Sequence, residues 1–311
     1  MKLNGFLIRL TLTATLGGLL FGYDTAVVSG TVGALKNFFI GPAKEAAPEG
    51  QNLLRHYTYF VSISAMAVWF MLGHFLLRLY GRKKGGIAAG ALLAGVLLVL
   101  YFNFFDGGLT ANIEALNAVF GFTISSALVG CILGAGIAGF LSQRLGRKAT
   151  LLIAGFLFLL SAIGSALPET LGFTGLAVWP AFISYRMLGG IGVGVASMVS
   201  PMYIAELAPA TVRGKLVSWN QFAIIFGMLV VYFVNYFIAK GQPAAWLNNT
   251  GWRWMFASEG IPAVLFLFML VWVPESPRFL MLKTKELQAR DVLYKIHTPT
   301  NVPGLLEEIR D

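Results

Sequence analysis

The sequence predicts an all-α membrane protein, and three observations carry that reading. Of 311 residues, 57% are hydrophobic and 12% are charged, with a mean hydropathy of +0.73; a soluble domain carries about 25% charged residues. Apolar runs long enough to span a bilayer, roughly 20 residues each, fall at 6–33, 57–77, 86–105, 119–141, 149–167, 181–202, 216–239 and 254–273. With the N-terminus placed in the cytoplasm, 17 of the 23 basic residues collect on the cytoplasmic side and 5 on the other. That is the asymmetry the positive-inside rule describes. The formal charge of +9 therefore reports topology, and no nucleic-acid partner is expected.

The first run follows Lys2 and contains Arg9, as a secretory leader would. It continues past the usual apolar core of about 15 residues and shows no small-residue cleavage site, so it reads as a retained first helix. Residues 36–56 read as a polar external loop. Runs 57–77 and 86–105 form a transmembrane hairpin turned by "RLYGRKKGG", whose basic residues fall on the cytoplasmic side. A loop at 106–118 leads to five further spans over 119–273. The segment 274–311 is charged, with Leu280, Leu287, Leu293 and Ile296 at helical intervals. Short amphipathic helices lying under the membrane are expected there.

Several chemistries are set aside. The single cysteine, Cys131, rules out an internal disulfide, and no Cys or His cluster suggests a metal. No nucleophile–base pair suggests an enzyme, and no cofactor is expected. "GAGIAG" (Gly134, Gly136, Gly139) matches a dinucleotide fingerprint by letters, but it lies inside an apolar run with no strand before it. Gly130 and Gly134, and Gly190 and Gly194, stand instead at the spacing by which membrane helices approach closely.

Three ionisable groups remain at membrane depth: Asp24, Arg186 and Glu259. A charge there opposes insertion by ~2.5–3.5 kcal/mol, and such groups usually pair, face cavities and mark ion pathways. One reading is a static ion pair that clamps helices. The other is a proton site, in which a carboxyl group exchanges its proton for a movable guanidinium. A second set clusters at cytoplasmic helix ends: "RLGRKAT" with Arg147, "PMYIAELAPATVRG" with Glu206 and Arg213, and "PESPR" with Glu275 and Arg278. Opposite charges on one face suggest a breakable latch. Positive-inside anchoring alone accounts for the arginines but not for Glu206 and Glu275.

These segments, together with "GGLLFGYDTAVVSG", "YRMLGGIGVGVASMVSPMYIAELAPATVRGKLVSWNQFAIIFG", "NTGWRWMFASEGIPA" and "VPESPRFLM", carry a resemblance. Over roughly 1–40 and 119–311 the chain resembles sugar porters of the major facilitator superfamily (MFS), bacterial D-xylose–proton symporters in particular. The resemblance implies the N-terminal six-helix bundle of an MFS transporter, built from the first helix and the five of 119–273. Two such bundles work around a central sugar site by alternating access. It implies that Asp24 couples protons, with Arg186 as switchable partner and Glu259 nearby. It implies that Phe21 and Gln221 line the sugar pocket. Met228 stands where the xylose symporters carry a second sugar-contacting glutamine, which favours another pentose or hexose. Arg147, Glu206, Arg213, Glu275 and Arg278 would form the cytoplasmic gate.

Residues 41–118 read as an insertion, a peripheral hairpin through which no substrate passes. The expected partners are a monosaccharide, protons, the lipid bilayer and a C-terminal six-helix bundle that this sequence does not contain; alone, the chain is not expected to transport. The expected location is the inner membrane. A facilitative uniporter and a non-transporting sugar sensor are the competing readings; passive sugar carriers of this family generally lack a carboxylate at the position of Asp24.

Overall fold

Asn4 starts the first helix: its side-chain oxygen accepts a hydrogen bond from the Phe6 amide at 3.0 Å, capping α1 (Gly5–Leu35). The computed structural model describes residues 4–45, 47–104, 112–172, 174, 178–296 and 301–310, so residues 106–111 of the expected 106–118 loop lie outside it. Beyond α1 the described residues of 36–56 are helical, which corrects the loop expected there. Lys36–Ile40 form a wider helical turn, Gly41–Glu45 form α2, and α3 begins at Ala47. Phe39, Ile40, Ala43, Leu53 and Leu54 are buried, and Phe39 lies 5.3 Å from the Phe182 ring centroid. Removing this apolar stripe from water outweighs the polar residues on the other side of the same turns.

The helix α3 (Ala47–Phe104) is interrupted at Gly81, whose φ of 75° and ψ of 169° are open only to glycine without strain. The interruption folds α3 into a hairpin. Trp69 Nε1 donates to the Ala89 carbonyl at 3.0 Å, and Gly85 sits against the backbone of Leu76 and Leu77. The first arm runs parallel to α4 (Ile113–Leu145): Tyr57 meets Phe122 and, further along both helices, Met71 meets Gly136. Phe122, Val129 and Gly136 form one stripe of α4. Ala127, Gly130 and Gly134, which face the helix of residues 178–207, lie about 130° around the same helix. The hairpin therefore rests on the outer side of α4. Trp69 lines a small apolar cavity of about 310 Å³ there, and His74 is exposed.

Asn112 caps α4 by accepting from the Ala115 amide at 2.8 Å, so residues 113–118 are helical rather than loop. After Gly146, at φ 96°, the chain turns into α5 (Arg147–Ala166), followed by α6 (Val178–Leu207) and α7 (Arg213–Ala239). The short α8 (Ala244–Trp246) and a wide turn lead to α9 (Trp252–Ser258) and α10 (Gly260–Val271). Two parallel pairs form the centre. α1 lies along α7, with Gly18 against Asn220, Gly22 against Ile224 and Gly30 against Asn235. α4 lies along α6, where side chains on Gly130, Gly134, Gly190 or Gly194 would overlap the partner's backbone. The glycine spacing seen in the sequence thus sets the closest helix contacts.

Among the described residues, seven segments are long and apolar enough to cross a membrane: Gly5–Lys44, Pro48–Gly81, Ile113–Leu145, Arg147–Ala166, Val178–Leu207, Arg213–Ala239 and Ala244–Val271. The remaining apolar run, 86–105, makes the second arm of the hairpin, described to Phe104. Three short helices follow: α11 (Pro277–Leu282), α12 (Glu286–Ile296) and α13 (Val302–Arg310). Leu280, Leu293 and Ile296 are buried as their spacing predicts, but Leu287 is 77% exposed. The buried stripe of α12 is Ala289, Val292, Leu293 and Ile296, and position 287 falls off it. Asn4 Nδ2 donates to the Lys295 carbonyl at 2.5 Å, which ties this segment back to the start of α1.

Candidate functional site

Asp24 on α1, Arg186 on α6 and Glu259 between α9 and α10 are 1%, 2% and 0% exposed, and they meet in the centre of the bundle. Pro262 explains the position of Glu259: a proline has no N–H to donate and its ring crowds the carbonyl four residues back, that of Ser258. The helix therefore breaks at Ser258–Glu259. Arg186 Nη1 donates to Asp24 Oδ1, and Nη2 reaches the Asp24 backbone carbonyl at 3.5 Å. The same guanidinium lies 5.2 Å from the Phe256 ring centroid, within cation–π range. Glu259 lies within the electrostatic reach of both Asp24 and Arg186 and stands within hydrogen-bonding reach of the Asp24 carboxyl, yet among the described residues its oxygens receive no bond from Arg186 or any other donor. Ser161 Oγ, also unpartnered, packs against Gly189, and a side chain at Gly189 would come within 3.8 Å of Asp24 Oδ1. Two carboxyl groups thus share one guanidinium, and only one of them is bonded to it.

Phe21, Gln221 and Met228 lie on one flank of the α1–α7 seam. By helical phase, Gln221 and Met228 turn the same way from the stripe that touches α1, and Phe21 turns to meet them. Phe21 and Met228 are half-buried, whereas Gln221 is exposed. This flank opens away from the described helices.

At the basic end of the bundle the structure brings together three of the five expected latch residues. Arg147 Nε and Nη2 donate to the two oxygens of Glu206 at 2.9 and 2.7 Å, a bidentate pair, and Arg147 Nη1 donates to the Ser142 carbonyl at 3.1 Å. Glu275 bonds backbone, not side chains: it accepts from the amides of Arg147 at 2.9 Å and Lys148 at 3.2 Å, capping the N-terminus of α5. Ser276, which the sequence reading passed over, donates its hydroxyl to Glu206. Tyr203 Oη donates to the Pro274 carbonyl at 2.7 Å. Arg213 and Arg278 stay outside this cluster: among the described residues Arg213 Nε reaches the Ala208 carbonyl at 3.4 Å, and Arg278 is exposed.

The opposite end carries an ion pair that the spacing did not reveal. Arg253 Nη1 and Nη2 grip Glu169 at 2.7 and 2.5 Å, joining the α5–α6 loop to α9. The hydrogen bond from Arg253 is the main reason the Glu169 carboxyl is held below the usual carboxylate range. A depressed carboxylate stabilises the fold above its unfolded value, about pH 4.3, and that contribution disappears as pH falls through the folded value. Because the pair is partly exposed, Glu169→Gln is expected to lower the melting temperature by only about 1–3 °C at pH 7. The gap between variant and wild type should close in paired thermal melts as the pH falls through the folded value.

Comparison with known proteins places the chain. The model of the family described as "Sugar (and other) transporter" matches residues 10–311. The D-xylose-proton symporter of Escherichia coli (strain K12) is 44% identical over 318 aligned residues, which cover 99% of this chain and 51% of that protein. The arabinose-proton symporter of Bacillus subtilis (strain 168) is 31% identical over 308, covering 99% and 48%. The E. coli xylose transporter XylE, solved in a partially occluded inward-open conformation, superposes with a TM-score of 0.75 at 44% identity, over 98% of this chain and 59% of that one. The chain spans about half the length of the curated relatives it matches. It is a multi-pass membrane protein, and it belongs to the sugar (and other) transporter family.

Proposed function

We propose that this chain supplies the N-terminal half of a proton-coupled symporter for a pentose or hexose, working by alternating access. The observation that carries the proposal is the buried Asp24–Arg186 pair with a second carboxyl, Glu259, beside it that Arg186 does not bond. Two carboxyl groups and one guanidinium balance in charge only when one carboxyl holds a proton, and an unbalanced charge is costly at this depth. Asp24 takes up the proton when Arg186 swings away and releases it when the pair closes. Phe21, Gln221 and Met228 form one wall of the sugar site, and a second six-helix bundle covers that open flank. Arg147, Glu206 and Glu275 latch the bundle at the cytoplasmic end, with Arg213 and Arg278 free to meet the other half. The N-terminus lies in the cytoplasm, the location is the inner membrane, and residues 41–118 are a peripheral insertion that substrate does not cross.

The test is uptake by the complete carrier in vesicles. A proton gradient supplies about 1.4 kcal/mol per pH unit and membrane potential about 2.3 kcal/mol per 100 mV, enough for strong accumulation. Asp24→Asn should bring the internal-to-external sugar ratio down to one while sugar binding and exchange persist. Accumulation retained by this variant would overturn the proposal.

A further inference from the structure

The flank of the α1–α7 seam opposite Gln221 and Met228 holds a second feature. There α1, α7 and α10 enclose an open groove of about 900 Å³, walled by Leu12, Leu16 and Leu19 of α1, Trp219 and Phe226 of α7, and Met269 of α10. Lys215 closes one end. Arg9 stands one turn beyond Leu12 on the same face of α1, since positions 9, 12, 16 and 19 make a single helical stripe. Both cations are exposed, and neither belongs to a salt bridge among the described residues. α7 and α10 contain no Asp or Glu, nor does α1 before Asp24, so nothing on the groove's own walls offsets the two charges.

The length of the groove is informative. From Lys215 to Phe226 the helical rise is about 16 Å, close to the roughly 15 Å depth of one leaflet, half of a ~30 Å hydrocarbon core. An apolar trough one leaflet deep, with two cations at its rim, has the shape and charge of a phospholipid whose headgroup is anionic. We propose that the groove between α1, α7 and α10 is a binding site for an anionic phospholipid of the leaflet on the basic side of the bundle. The acyl chain lies along Leu16, Leu19 and Phe226, and the phosphate sits between Arg9 and Lys215. Because the site lies on the flank away from Gln221, it remains open to lipid when a partner bundle covers the other side.

Trp219, in the groove wall, gives a direct probe. The chain is reconstituted in phosphatidylcholine vesicles doped with either phosphatidylglycerol or phosphatidylcholine brominated in the acyl chain, and the Trp219 signal is taken as wild type minus Trp219→Phe. Quenching should reach half its maximum at a roughly fivefold lower fraction of the brominated anionic lipid. In R9Q/K215Q the two curves should converge while Trp219 remains quenched by both lipids, which also shows that the variant is inserted. Should that double variant fail to insert, Lys215→Gln alone should weaken the preference and Lys215→Arg restore it. Coincident curves in the wild type, or a preference unchanged in R9Q/K215Q, would overturn the site. Trp219 unquenched by either lipid would also overturn it, by showing protein in the groove, such as a second copy of the chain.

Discussion

Replacing both buried carboxyl groups by amides, D24N/E259Q, should destabilise the folded chain by about 3–5 kcal/mol, the range measured when a buried ion pair loses one partner. The reason is charge, since the amides keep the shape of the site. Arg186 is 2% exposed and donates to Asp24, so with both acids gone its guanidinium is left buried against Phe256 and neutral amides. The single variants separate the two acids. Glu259→Gln should have the smallest effect, because its oxygens receive no bond from Arg186 and its charge stands close to that of Asp24. Asp24→Asn should fall between, because Glu259 remains within reach of Arg186 as a substitute counter-charge. Thermal unfolding of the four proteins in one detergent gives the order. If Asp24→Asn alone is as damaging as the double variant, Glu259 has no part in holding the cation.

The other large effect is steric. Gly190→Leu should abolish the folded bundle, because even its first side-chain carbon would overlap the Ala127 carbonyl of α4. An extra methylene in a packed core costs about 1–3 kcal/mol when neighbouring side chains can yield; here the obstacle is backbone in a rigid helix. The α4–α6 seam would have to open along its length, and Arg186, one turn from Gly190 on α6, would be carried away from Asp24. Gly121→Leu, on the same α4 but with open space around it, should behave like wild type. Size-exclusion profiles and thermal melts of the pair provide the check. Equal behaviour would mean that the seam is not the rigid element described.

These two effects also mark what could be read from the chain alone. The spans, the hairpin turn and the glycine spacing follow from period and composition, which are local. The meeting of Asp24 with Arg186 was legible because a charge inside lipid has few options besides a partner. What escaped the reading needed tertiary knowledge. Residues 36–56 look polar, yet Phe39, Ile40, Leu53 and Leu54 share a side that only the docked aromatic cluster rewards. Glu275 looked like a side-chain partner for arginine and instead caps α5, since two amides at a helix start are as good an anion site as a guanidinium. Ser276 and Arg253 lie inside motif segments whose letters do not name their partners, and only the fold brings Glu206 and Glu169 near them. Gln221 is exposed, and no contact among the described residues marks it out.

The ring of bonds around Arg147 has a consequence for biosynthesis. Its members come from positions 70 and 128 residues apart in the chain. A ribosome releases Arg147 and Glu206 well before Ser276, so the membrane segments can thread into the bilayer and still slide against one another. Only when the last of them has emerged does the clasp snap shut, and the timing of translation itself becomes the order in which the bundle acquires its final shape.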